Sequence, residues 1–151
     1  MQLGSRAVTT QTIKESQEMD ELIFKTSQDF KQVTFDTETE SWRFKFKTDY
    51  FNCSGLWRIL KSKKIERVSL DNGQQFGLPN PINLENEVNE LLKDKKLEAI
   101  IIKKDTSDLQ LILTDNLEIE IFISSSGYET YDFSFDSKRY IGQGSGDIAI
   151  L

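Results

Sequence analysis

Hydrophobic and polar residues alternate with period two along most of the chain, the signature of half-buried β-strands. Val33 and Phe35 alternate with polar neighbours, as do Trp42, Phe44 and Phe46 against Arg43, Lys45 and Lys47. The pattern returns in Leu109, Leu111 and Leu113, in Leu117, Ile119, Ile121 and Ile123, and in Tyr131, Phe133 and Phe135. Leu97 to Ile102 is apolar on both faces, which predicts a strand in the middle of the core. Turn residues separate these runs: Thr48-Asp49, Asp71-Asn72-Gly73, Thr114-Asp115-Asn116, Ser126-Gly127 and Asp136-Ser137.

A 3.6-residue period is clear in one place. Leu84, Val88, Leu91 and Leu92 form one stripe, Asn83 fits the N-cap position, and glutamates precede lysines in the order the helix dipole favours, so the spacing predicts a helix from Leu84 to about Lys95. A thinner stripe of Ile13, Leu22 and Ile23 predicts another from about Gln11 to Lys25. Pro79-Asn80-Pro81 divides the chain into two stretches of similar pattern. Phe30, Val33, Phe35, Trp42, Phe44 and Phe46 correspond, 67 residues later, to Leu97, Ile100, Ile102, Leu109, Leu111 and Leu113. The expected fold is therefore α+β: two related helix-plus-β-meander units with antiparallel sheets, residues 11–78 and 82–151, packed in a single domain 1–151, with residues 1–10 as a flexible tail.

Composition then limits the chemistry. A chain of 151 residues is long enough to bury one core without disulfide or metal support. With no histidine and one cysteine, Cys53, the Ser-His-Asp and Cys-His relays, His-ligated zinc and proximal-His haem all lack their parts. No cofactor or metal site is expected. The first ten residues lack the apolar stretch of a secretory signal, and a longest apolar run such as Ala99 to Ile102 is far too short to span a bilayer, so a cytoplasmic protein with no membrane contact is expected. The net charge of −6 argues against nucleic-acid binding. It is uneven: residues 1–75 hold 12 Lys+Arg and 11 Asp+Glu, a net of +1, whereas residues 76–151 hold 7 and 14, a net of −7.

Few constellations carry chemistry. Gly142-Gln143-Gly144-Ser145-Gly146 lacks the following helix of a phosphate cradle, and reads as a flexible turn before a last short strand or tail. Asp105, Asp108 and Asp115 lack the spacing of a calcium loop. Arg43, Lys45 and Lys47 form a basic strand face. The acidic counterpart is Glu118 and Glu120 on one face of a strand, with Tyr128, Glu129, Asp132 and Asp136 on the hairpin that follows. These six residues predict a negative surface with an aromatic anchor, suited to a basic protein partner.

The second half resembles the small immunity-type proteins of bacterial polymorphic-toxin systems, mainly over residues 85–142. The resemblance lies in Asp108 to Asn116, then Ile119-Glu120-Ile121-Phe122, then Ser125-Ser126-Gly127-Tyr128-Glu129-Thr130-Tyr131, where Tyr131 stands in place of a frequent tryptophan. It implies a non-catalytic protein that binds and neutralises a cognate toxin, a basic nuclease being one form, through the acidic sheet face. A generic protein-binding adaptor is the alternative, followed by a small-molecule or carbohydrate binder. Oligomeric state is not legible in the sequence.

Overall fold

The alternating segments become strands, and one of them runs further than its pattern predicts. A computed structural model describes residues 21–151. It contains β1 (Leu22–Asp36), β2 (Ser41–Phe46), β3 (Tyr50–Cys53), β4 (Trp57–Lys61), β5 (Lys64–Val68), helix α1 (Leu84–Leu91), β6 (Lys96–Ile102), β7 (Leu109–Leu113), β8 (Leu117–Ile121), β9 (Tyr131–Phe135), β10 (Lys138–Gly142) and β11 (Ile148–Ile150). All eleven strands join one antiparallel sheet, in the order β11-β10-β9-β3-β2-β1-β6-β7-β8-β4-β5.

The 15-residue β1 is the centre of that sheet. Its register slips between Lys25 and Gln28 against β6, and between Phe30 and Gln32 against β2. Such bulges bend a strand and sharpen its twist. The part up to Asp29 pairs with β6 and the part from Phe30 with β2, so the sheet folds over at β1 into two wings. Their inner faces meet: Trp57 of β4 lies edge-on to Trp42 and Phe44 of β2, at 5.1 and 5.3 Å between ring centroids. On the other side Phe24 of β1 packs on Phe135 and Tyr140. Most inward positions of the alternating runs, among them Phe44, Phe51, Ile59, Ile100, Leu111, Ile119 and Phe133, are fully buried, and Phe35, Ile123 and Phe135 pack partly buried against them.

Two amides hold the bend. The buried Gln28 accepts the backbone N–H groups of Thr48 and Asp49 at its Oε1, both at 3.0 Å, and donates from Nε2 to Thr26 Oγ1 and Asp49 Oδ2. Further along, β6 has ended, yet Val33 still needs partners on that side. Asn89 of α1 supplies both, its Oδ1 accepting from Val33 N at 2.9 Å and its Nδ2 donating to Val33 O at 3.0 Å. The helix thus stands in for the missing strand.

The expected α+β pair of helix-plus-meander units is corrected by this topology. The chain is predominantly antiparallel β, with a single α-helix among the described residues. Leu84–Leu91 is that helix, with Asn83 Oδ1 capping Asn86 N at 3.1 Å; it stops short of Lys95 because Asp94 turns left-handed, at φ +65°. Residues 11–20 of the other expected helix, and the expected tail 1–10, lie outside the described residues. Leu22 to Lys25 are strand, because Leu22 and Phe24 face inward and Ile23 and Lys25 outward, a period of two. Nor does either half form a self-contained unit. The β4–β5 hairpin extends the wing begun by β6-β7-β8, and the β9–β10 hairpin extends the wing begun by β2-β3.

Replacing Asn89 with Ala leaves two backbone groups of the buried Val33 without partners and should cost about 2 kcal/mol. Urea unfolding of Asn89→Ala is expected to show a lowered midpoint at unchanged slope; an unchanged midpoint would show that Asn89 does not hold β1.

Candidate functional site

The six acidic and aromatic residues singled out in the sequence fall in three separate places. Glu118 and Glu120 do lie together on the outer face of β8, but β4 and the turn after it put cations beside them. Lys63 Nζ is 2.6 Å from Glu118 and Arg58 Nε is 2.5 Å from Glu120. Glu118 also accepts from Gln110 and is only 6% exposed. These two carboxylates are charge-balanced parts of a sheet. The hairpin that follows does not adjoin them, since β8 belongs to one wing and β9 to the other. On β9, Asp132 faces outward and reaches Arg139 at 3.3 Å. Asp136 sits in the β9–β10 turn, at the far end of the strand, with φ +52°. Glu129 and Asp132 share a shallow pocket with Ser41 and Asn52, and Tyr128 stands beside it, 80% exposed.

The basic residues are likewise distributed. Arg43 donates to Asn52 Oδ1 at 2.8 Å and covers the Tyr50 ring. Arg58 and Lys63 serve the ion pairs just described.

Strand register gathers a different set of carboxylates at one end of the folded sheet. Here lie the β1–β2 turn, the β3–β4 link, the Ser69–Asp71 turn after β5, and the loops β6–β7, β8–β9 and β10–β11. Backbone bonds tie several of them together: Ser54 N to Thr130 O, Phe122 N to Leu56 O, and Ser145 N to Ser125 O. Asp36, Glu38, Glu40 and Asp71 come from the first half of the chain, and Asp105, Asp108, Glu129 and Asp147 from the second. None of them forms an ion pair among the described residues; the lysines here are Lys104 and Lys103, the latter paired with Glu21 at 2.9 Å. The opposite end carries Lys47, Lys61, Lys63, Lys64, Lys95 and Lys96. Asp29, Asp49, Asp94, Asp115 and Asp136 lie there too, two of them paired with Lys96 and Lys95, so that end is mixed in charge while the loop end is predominantly acidic.

This acidic end is ordered by short-range bonds. Asp36 Oδ1 accepts from Glu38 N at 2.9 Å and from Thr39 N at 3.3 Å, shaping the turn that carries Glu38 and Glu40. Ser125 Oγ accepts from Gly127 N and Tyr128 N, at 3.0 and 2.9 Å, fixing the backbone that presents Tyr128. The glycine run Gly142 to Gly146 is a close-packed strap, which corrects its reading as a flexible turn. A Cβ on Gly144 would strike the backbone of Ser126 and Gly127, and one on Gly142 would enter the Tyr131 ring. Gly146, at φ +86°, lies against the backbone of Asp105 and Thr106. Behind the strap, Tyr131 donates to Ser107 O at 2.8 Å, and Ser107 Oγ to Gly146 O at 2.6 Å.

Between the β1–β2 turn and the Ser69–Asn72 segment a groove of about 720 Å³ opens at this end, within the size range of ligand sites. Phe35, Trp42, Glu40, Leu56, Leu70 and Asn72 are among its walls. The loop that leaves it carries Phe76, which is 67% exposed although its backbone is left-handed, at φ +47°. A bulky residue held that way while burying little is a strained feature of the kind concentrated at functional sites. The loop is nonetheless pinned, with Gly73 N bonded to Ile82 O and Ile82 N to Gln74 O, both at 2.8 Å. Sequence reading missed this groove. The alternating Asp36, Glu38 and Glu40 were visible, but averaging charge over the first half hid them.

Cys53 lines the core side of β3 and is buried, and burial pushes its thiol up to about 12. It is neutral at physiological pH and makes no nucleophile. On its account stability is fully present below the thiol's ordinary value of 9.0 and falls as pH rises from there toward about 12, because only the unfolded chain ionises readily. A thiol reagent at pH 8 is expected to leave the native protein unlabelled and to label it stoichiometrically in denaturant; rapid native labelling would contradict the burial. Gly144→Ala should cost roughly 1–3 kcal/mol through overpacking and loosen residues 122–130. Limited chymotrypsin digestion should then cut at Tyr128 faster than in the wild type, and an unchanged rate would show that the strap does not restrain the loop.

The chain matches no protein-family model, and no curated protein and no solved structure matches it significantly.

Proposed function

We propose that the protein is a non-catalytic binding protein of the immunity type, which neutralises a basic toxin by docking its acidic loop end onto that protein. The observation that carries this reading is the gathering of carboxylates without ion-pair partners among the described residues, on ordered loops that also expose Tyr128, Leu70 and Phe76. Interfaces draw their energy from a few aromatic and aliphatic anchors, and their encounter rate and selectivity from complementary charge. Both ingredients lie at one end here. The outer face bearing Glu118 and Glu120 supplies neither, since its carboxylates already have cations. The absence of histidine from the sequence and the protonated, buried Cys53 favour binding over catalysis. A single thiol also suits the cytoplasm of the producing cell.

The reading is tested by co-expression with the product of the adjacent gene. The triple variant Glu38→Lys, Glu40→Lys, Glu129→Lys is expected to slow association with that product by about tenfold or more and to weaken protection, while Asp136→Lys, at the opposite end, leaves both unchanged. Full protection by a folded triple variant would sink the assignment of the contact to the loop end.

A further inference from the structure

Resting on that reading, we infer that the groove beside the β1–β2 turn is a receptor for an arginine side chain of the basic partner. Among the described residues, Glu40 is the one charged residue lining it, and none of them brings a cation to neutralise that carboxylate. One wall is aromatic, Phe35 against Trp42 with ring centroids 4.5 Å apart. A guanidinium is the group that uses both features, because its planar cation stacks on an aromatic ring while its forked N–H donors pair with a carboxylate. An anion would meet Glu40 with no compensating charge.

The frame of the groove is fixed before anything enters it. The backbone of the Glu40 turn is set by the Asp36 carboxylate. Ser69 Oγ already accepts from Trp57 N at 3.0 Å and Asn72 Oδ1 from Leu84 N at 2.9 Å, so both side chains of the facing wall are held in place. The amide N–H donors of Asn72 have no partner among the described residues and suit a backbone carbonyl on the incoming chain. Leu70, exposed at the rim, can cover the aliphatic stem of the arginine. Preorganisation of this kind lowers the entropy cost of ordering a contact.

The two tryptophans of the chain give a direct readout, since Trp42 lines the groove and Trp57 packs edge-on against it. The probe is a five-residue peptide, Gly-Arg-Gly-Arg-Gly, titrated against the whole protein while tryptophan emission is followed. A saturable change is expected, with binding weakened about tenfold by Glu40→Gln, the size of a lost charge-assisted hydrogen bond. The same peptide with citrulline for arginine, uncharged but of the same shape, should bind at least tenfold more weakly. Asp136→Asn, at the opposite end of the molecule and outside the groove, should leave the titration unaltered. Equal binding of the citrulline peptide, undiminished binding by a folded Glu40→Gln protein, or no emission change at all would overturn the arginine receptor. The outcomes separate from those of the broader reading: if the adjacent gene product binds and Glu40→Gln alone leaves its affinity unchanged, the groove assignment fails while docking through the loop end stands.

Discussion

Everything else in the structure depends on β1 being able to bend. A straight strand of that length would continue one flat sheet with its apolar face exposed, and the alternating residues would have nothing to pack against. The bulges near Gln28 and Phe30 turn the strand, and they leave backbone and turn groups in need of partners. Gln28 satisfies the β2–β3 turn at the bend, and Asn89 satisfies Val33 beyond it. Two neutral amides with both donors and acceptors are suited to this, because each can replace a stretch of strand edge. Folding the sheet over then seats Trp57 against Trp42 and closes the core.

The same fold-over decides where charge ends up. Strands alternate direction, so every second connection returns to the same end, whichever half of the chain it comes from. The acidic connections Asp36–Glu40 and Asp105–Asp108 meet at one end, while the lysine-bearing ones near Lys63 and Lys95 meet at the other. Acidity that looks like a property of the C-terminal half is instead a property of one pole, built from both halves. Glu118 and Glu120, which dominate a linear reading, are neutralised by Lys63 and Arg58 across strands that are far apart in sequence.

Individual strands were largely legible, because period-two alternation is a direct imprint of a half-buried surface. Trp42, Phe44 and Phe46, or Leu109, Leu111 and Leu113, need no tertiary information to be placed inward. The helix at Leu84 was legible for the same reason, cap included. Strand partners were not, since pairing depends on loop paths and bulges that leave little trace in composition. Nothing in Leu22 to Lys25 says that they share a strand with Val33 and Phe35, so a thin apolar spacing there reads as helix. The glycine run was misread because looseness and close approach call for the same residue, and only the neighbouring backbone of Ser126 and Gly127 distinguishes them. Of the site, Tyr128 and Glu129 read in the sequence as part of the hairpin after the Glu118 strand, whereas the groove joins Phe35 of β1 to Leu56 and Leu70 of two connections and exists only after folding.

The exchange of hairpins between the wings has a consequence for how the protein is made. As the chain emerges from the ribosome, β1 to β3 can associate locally, but β3 has no outer neighbour until Tyr131–Phe135 appears, and the β4–β5 hairpin has none until Leu117–Ile121 appears. Neither wing is complete until most of the polypeptide has been synthesised. Contacts of such long sequence separation slow folding and leave strand edges unpaired in the interval. The nascent chain must therefore carry open edges of β3 and β4 through much of translation, and the acidic pole, assembled from connections at both ends of the sequence, comes into being only at the final step.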